Sequence, residues 1–113
     1  MGGRALKLLL VSCLFGGLVV HSAGGAVAAG PSFDCDKARG DVERLICADA
    51  ELSDLDARFA RSFAAALARA PAGAVRDLTA SEKDWRRIRN NCARASDPRQ
   101  CTMDAYQSFM SQL

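Results

Sequence analysis

Histidine is absent from residues 30–113, because the one histidine of this 113-residue chain is His21. Within that stretch the lack excludes Ser-His-Asp and Cys-His catalysis, imidazole acid–base chemistry and histidine-containing zinc sites. Net charge is absent as well. With Arg4 and Lys7 set aside, residues 30–113 carry 13 basic and 13 acidic side chains, which gives no positive excess of the kind a nucleic-acid binder needs. Tryptophan and tyrosine occur once each, and proline three times. No segment alternates apolar and polar residues as a half-buried strand does, and no repeat or low-complexity linker interrupts the chain. The longest apolar run, Leu8 to Val20, is thirteen positions, short of the ~20 needed to span a bilayer.

What is present begins with that run. Arg4 and Lys7 precede it, and small residues follow it up to Ala26-Val27-Ala28-Ala29. This order of charged, apolar and small residues is that of a secretory signal peptide over residues 1–29, with cleavage expected after Ala29. Leu10-Val11-Ser12-Cys13 also resembles a lipoprotein box, in which Cys13 would be acylated. Against that reading, Cys13 splits the apolar run instead of following it. The expected location is periplasmic or secreted, with lipid anchoring through Cys13 as the alternative and no stable membrane insertion after cleavage.

The remaining cysteines are Cys35, Cys47, Cys92 and Cys101. An even number in a small exported chain reads as a disulfide framework. The two spacings, eleven and eight intervening residues, are too wide for the close thiolate pairs of a zinc site, so no metal and no other cofactor is expected. Four cysteines allow three connectivities. Cys35–Cys47 with Cys92–Cys101 is favoured, since each pair brackets one local segment beside a helix end.

Helical periodicity accounts for most of residues 30–113. Val42, Leu45 and Ile46 share one face from Asp41 onward. Leu52, Leu55, Phe59, Phe63, Ala66 and Leu67 form a longer stripe, opening at Asp49 or Ser53 and ending at Pro71-Ala72-Gly73. Thr79-Ala80-Ser81-Glu82 reads as a capping box that starts a third helix, with Trp85, Ile88 and Cys92 on its buried face. Asp97-Pro98-Arg99-Gln100 starts a fourth, whose buried face is Met103, Tyr106, Met110 and Leu113. The predicted fold is all-α: about four helices stapled by two disulfides.

Acidic pairs such as Asp34/Asp36 and Asp54/Asp56 do not make a hydrolytic site, since positions i and i+2 on a helix face apart. Ser81 and Lys83 stand too close for an S-x-x-K dyad. Arg86-Arg87-Ile88-Arg89 reads as a solvated basic face. No residue pattern nominates an active site, and the chain is expected not to be an enzyme. The charge is nevertheless uneven: residues 34–56 sum to −5 and residues 58–99 to +6. Two accounts are open, halves that attract each other within the fold or an acidic surface that steers a cationic partner.

Taken in order, Pro31-Ser32-Phe33-Asp34-Cys35, Glu43-x-x-Ile46-Cys47, Leu52-x-x-Leu55-Asp56, Trp85 with Arg89 and Cys92, and Cys101 followed by Tyr106 resemble the LprI-type lysozyme inhibitor family of exported bacterial proteins. The likeness runs over essentially all of residues 30–113. Asn90-Asn91 departs from it, standing where an acidic residue is expected. The resemblance implies a small disulfide-bonded helical domain outside the cytoplasm and, for some members, inhibition of lysozyme. The expected partner is therefore a protein, a cationic lysozyme, with an envelope interaction module of other target as the alternative. A lysozyme cleft presents two carboxylates, one protonated and one ionised, so a blocking side chain should be a cation or a hydroxyl donor on a rigid loop. Arg94, Ser96 and Arg99 between Cys92 and Cys101 fit that description, and Lys37 and Arg39 between Cys35 and Cys47 come second. Asp54 and Asp56 would contact the cationic rim and raise the association rate.

Overall fold

The computed structural model describes residues 30–113, and the expected signal peptide with Cys13 lies outside them. The described chain is all-α. Helices α1 (Gly40–Ala48), α2 (Ala50–Arg69), α3 (Ala72–Asn91) and α4 (Pro98–Met110) follow one another, with single 3-10 turns at Cys35–Lys37 and Cys92–Arg94. Cys35–Cys47 and Cys92–Cys101 are the disulfides, their Cα atoms 5.8 and 5.5 Å apart. Each staple closes one short segment at a helix end, as the spacing suggests. In the loop-entropy model each contributes roughly 3 kcal/mol, which matters for a chain of this size.

Local chemistry sets most of the helix ends. Gly40 opens α1 with φ +74°, a backbone conformation that glycine adopts without steric cost. Nothing would touch a Cβ there, so the requirement is conformational. The Asp49 side chain accepts from the Leu52 N–H at 3.0 Å and caps α2; Asp97 does the same for Gln100 N–H in α4, with Pro98 at the first helical position. Between α1 and α2, Ser53 Oγ donates to the Ile46 carbonyl at 2.6 Å, satisfying one of the acceptors that a helix end leaves open.

The third helix departs from expectation. α3 starts seven residues early, at Ala72 behind Pro71, and Thr79 lies inside it. Its hydroxyl donates to the Val75 carbonyl at 2.8 Å and Glu82 pairs with Arg86 at 2.5 Å, so the capping box does not form. Pro71 pre-sets the backbone for a helix start, and after Gly73 nothing in residues 74–78 breaks a helix.

The core is aromatic and is drawn from every helix: Val42 and Ile46, Leu52, Leu55 and Phe59, Trp85 and Cys92, then Tyr106 and Phe109. Phe59 stacks on Trp85 with centroids 4.2 Å apart, and Tyr106 meets Trp85 edge-on at 5.0 Å. Two expected faces are rotated. In α3 the buried line is Glu82, Trp85, Arg89, Cys92, while Ile88 is 62% exposed; Arg89 takes the inward position, and Ile88, one residue away, is turned outward. In α4 the buried line is Thr102, Tyr106, Phe109, leaving Met103, Met110 and Leu113 only partly covered. Thr102 tolerates full burial because its hydroxyl donates to the Pro98 carbonyl at 2.7 Å.

Candidate functional site

Two arrangements combine charge with fixed geometry. The first is inside. Asp56, on α2, is 2% exposed. Its Oδ2 accepts from both the backbone N–H and the hydroxyl of Ser32, each at 2.6 Å, and its Oδ1 accepts from the Tyr106 hydroxyl at 2.5 Å. Arg89 Nη1 donates to that same hydroxyl at 3.0 Å and stands 3.9 Å from Asp56 Oδ1. The guanidinium lies over Trp85, 5.5 Å from the ring centroid, and its far edge donates to Asn90 Oδ1 at 3.1 and 2.9 Å. Asn90, at a position where the resemblance called for an acid, thus supplies a neutral acceptor. Burial raises the Tyr106 hydroxyl above its ordinary pKa; the charge of Arg89 opposes this and the hydrogen bond to Asp56 adds to it. The phenol stays protonated and donates to the carboxylate. Beside the network a cavity of about 280 Å³ is lined by Phe33, Phe59 and Trp85 with Glu43, Glu82 and Arg86 among the polar walls. Both oxygens of Asp56 are occupied by donors, so the network locks the N-terminal lead-in, α2, α3 and α4 together.

The second arrangement is the Cys92–Cys101 loop. Arg99 Nε donates to Asp49 Oδ2 at 2.7 Å, and its Nη2 also pairs with Glu51. This pins the loop to the start of α2, two residues past Cys47. The Arg99 hydrogen bond, helped by the Leu52 N–H, holds the Asp49 carboxyl below the usual carboxylate range. A depressed folded pKa contributes stability that is present above the unfolded value of ~3.9 and lost as pH falls through the folded one. Asp49→Asn is therefore expected to flatten the acid limb of the stability curve below about pH 4. Urea midpoints at pH 3 and pH 6 check this, and an unchanged difference between them would sink it.

These positions correct the sequence reading of individual residues. Asp56 is not on a surface at all: it is buried by the Ser32, Tyr106 and Arg89 donors, and only Asp54 of that pair is exposed. Arg99 is half-buried and committed to two carboxylates. Arg94 and Ser96 are exposed and make no side-chain hydrogen bond or ion pair among the described residues. Lys37 is exposed with Asp34 at 4.0 Å; Arg39 is exposed, and its backbone N–H donates to Glu43 at 2.5 Å. The structure therefore brings Arg94, Ser96 and Arg99 into one stapled loop but separates Asp56 from Asp54. Arg89 escapes the sequence reading because it belongs to Arg86-Arg87-Ile88-Arg89, a cluster that reads as a solvated face. The uneven charge is settled in part within the fold: Glu43 and Asp56 face Arg89, and Asp49 and Glu51 face Arg99, while Asp34, Asp36, Asp41 and Asp54 stay exposed.

No described helix is long and apolar enough to cross a membrane. No family model and no solved structure matches the chain. Among curated proteins it is similar to "Lipoprotein LprI" of Mycobacterium tuberculosis, strains H37Rv and CDC 1551, and to the protein of the same name from Mycobacterium bovis. Each is 39% identical over 85 residues, which is 75% of this chain. The chain spans 42% of the length of these relatives, and its likeness is to that part of lipoprotein LprI.

Proposed function

We propose that this chain is an exported, LprI-like protein-binding domain that inhibits lysozyme by presenting a rigid loop to the enzyme's cleft. The 39% identity over 85 residues to lipoprotein LprI carries the reading. The geometry that supports it is the Cys92–Cys101 loop, closed by a disulfide and clamped by Arg99. Clamping leaves Arg94 and Ser96 free to meet a pair of cleft carboxylates with little loss of ordering entropy. Arg99 positions the loop and does not itself enter the cleft. Lys37 and Arg39 are the second candidates. Binding, not catalysis, is the activity proposed, and delivery outside the cytoplasm follows either cleavage after Ala29 or acylation at Cys13.

Lysozyme turnover of cell walls with and without the exported protein tests this reading. Inhibition is expected, with Arg94→Ala/Ser96→Ala raising the inhibitor's off-rate tenfold or more while leaving its melting temperature in place. Unimpeded turnover at saturating protein refutes it. One observation favours a second reading, an envelope interaction module with another target. Glu43, Asp49, Glu51 and Asp56 are committed to Arg89 and Arg99, and Asp34 and Asp41 to Lys37 and Arg44. Asp36 and Asp54 are the acids of that segment left without a partner among the described residues to steer a cationic enzyme. Recovery of an endogenous envelope protein in place of lysozyme would select that reading.

A further inference from the structure

We infer that the turn between α2 and α3 is a docking tip for an anionic lipid bilayer. This inference is separate from the lysozyme reading and uses a different end of the molecule. The Asp56 network, the two disulfides and the aromatic core all lie toward the other ends of α2 and α3. Around the turn, residues 71–77 are all exposed. From Ala70 to Val75 the sequence is Ala-Pro-Ala-Gly-Ala-Val, without one polar side chain, and Val75 is one of two large apolar residues exposed among the described residues. Arg69 and Arg76 flank this apolar turn, both exposed and without an ion pair among the described residues.

Behind the turn exposed basic side chains continue on both helices, with Asp77, exposed beside Arg76, the acid nearest the tip and Glu82 and Asp84 paired to Arg86 and Arg87. Arg58, Arg61 and Arg69 fall on one stripe of α2 at intervals of three and eight residues, and Arg76 and Lys83 are two turns apart on α3. All five are exposed and without an ion pair among the described residues, whereas six of the eight acids of residues 34–56 are paired to basic side chains of the same chain. Residues 30–113, whose formal charges sum to zero, therefore present an apolar-tipped hairpin with exposed basic side chains. The exposed residues of the tip include no aromatic ring, so it offers neither the platform for base stacking nor the aromatic anchors of a protein interface. Small apolar residues between two arginines do suit the headgroup boundary of a bilayer: the turn enters, and the guanidinium groups reach back to lipid phosphates.

Each arginine near an anionic leaflet is worth ~1 kcal/mol, a factor of about five in partitioning. The test measures partitioning of the exported protein onto vesicles with 30 mol% phosphatidylglycerol and onto pure phosphatidylcholine vesicles. Preference for the anionic vesicles is expected, weakening between 0.1 and 0.5 M salt as the ~10 Å screening length shortens. Arg69→Gln/Arg76→Gln should lower the anionic partition coefficient about twenty-five-fold, and Val75→Ser roughly threefold, with unchanged melting curves because these side chains are exposed. Parent and variants are compared in the same processed form, so whatever processing leaves of residues 1–29 contributes equally to each. Equal partitioning of parent and double variant overturns the inference. So does capture by polyglutamate with no preference for the anionic vesicles, or a Val75→Ser variant that binds as the parent does; the first would point to an acidic protein and the second to charge alone.

Discussion

Asp56→Ala is expected to lower the unfolding free energy by about 3–5 kcal/mol, the cost of removing one member of a buried ion pair. The mechanism is loss of three satisfied donors at once. Arg89, 5% exposed at its side chain, would keep its charge with only Glu43, at 3.8 Å, as a carboxylate nearby. The fully buried Tyr106 hydroxyl would lose its acceptor, and the Ser32 segment would lose both of its hydrogen bonds to α2. For a domain of this size the loss corresponds to roughly 15–30 °C in melting temperature. Replacing the pair together, Asp56→Leu with Arg89→Met, should cost less than the sum of the two single changes, because no unpaired charge is left behind. Urea melts followed by the fluorescence of Trp85, the one tryptophan, measure both. A loss under about 1 kcal/mol in Asp56→Ala would mean that the pair contributes no more than an exposed one.

How much of this architecture is legible in the sequence depends on which physical signal each element carries. α2 and α4 are legible because apolar periodicity and a cap agree: Leu52, Leu55 and Phe59 follow Asp49, and Tyr106 follows Asp97-Pro98; α1 is legible from the spacing of Val42, Leu45 and Ile46 without a side-chain cap. Both disulfides are the pairing favoured among three, because each cysteine pair brackets one local segment beside a helix end. The start of α3 is not, because Thr79-Ala80-Ser81-Glu82 satisfies a local pattern while Pro71 has already begun the helix. Its inner face is hidden for another reason. Helical periodicity counts apolar residues, and the residue that turns inward between Trp85 and Cys92 is an arginine.

The same rule explains the site. Asp56 and Asp54 look alike in sequence, two acids in the first turns of a helix, and only the partners 33 and 50 residues further on, Arg89 and Tyr106, distinguish them. A signal was available: Asp56 lies one residue from Leu55 and three from Phe59 on the apolar stripe, where a solvated carboxylate does not belong. Arg99 carries a similar lesson. Its place inside the second disulfide loop was clear, but its pairing with Asp49 and Glu51 is a tertiary fact, and it changes the residue from a candidate ligand into a clamp. What remains accessible to a partner on that loop is Arg94 and Ser96, fewer groups on a stiffer support than the sequence suggests.

Trp85→Ala should be the most damaging change to the apolar core, at about 3–5 kcal/mol for truncating a buried aromatic. Trp85 is 6% exposed and touches the ring systems of α2 and α4 together: Phe59 at 4.2 Å, Tyr106 at 5.0 Å and Phe109 at 5.4 Å between centroids. α2 and α3 are joined by a tight turn, and this stacking supplies much of what holds their middles in register. The indole N–H donates to the Ala105 carbonyl at 2.8 Å, and its face supports the Arg89 guanidinium. Truncation therefore opens a cavity and loosens the Asp56 pair in the same step, so its cost should be less than additive with Asp56→Ala. Trp85→Phe keeps a ring but deletes the donor, and should cost about 1–3 kcal/mol. Thermal melts followed by helical circular dichroism rank the variants. If Trp85→Ala melts with the parent and only binding is lost, the indole is a contact surface and not the keystone of the bundle.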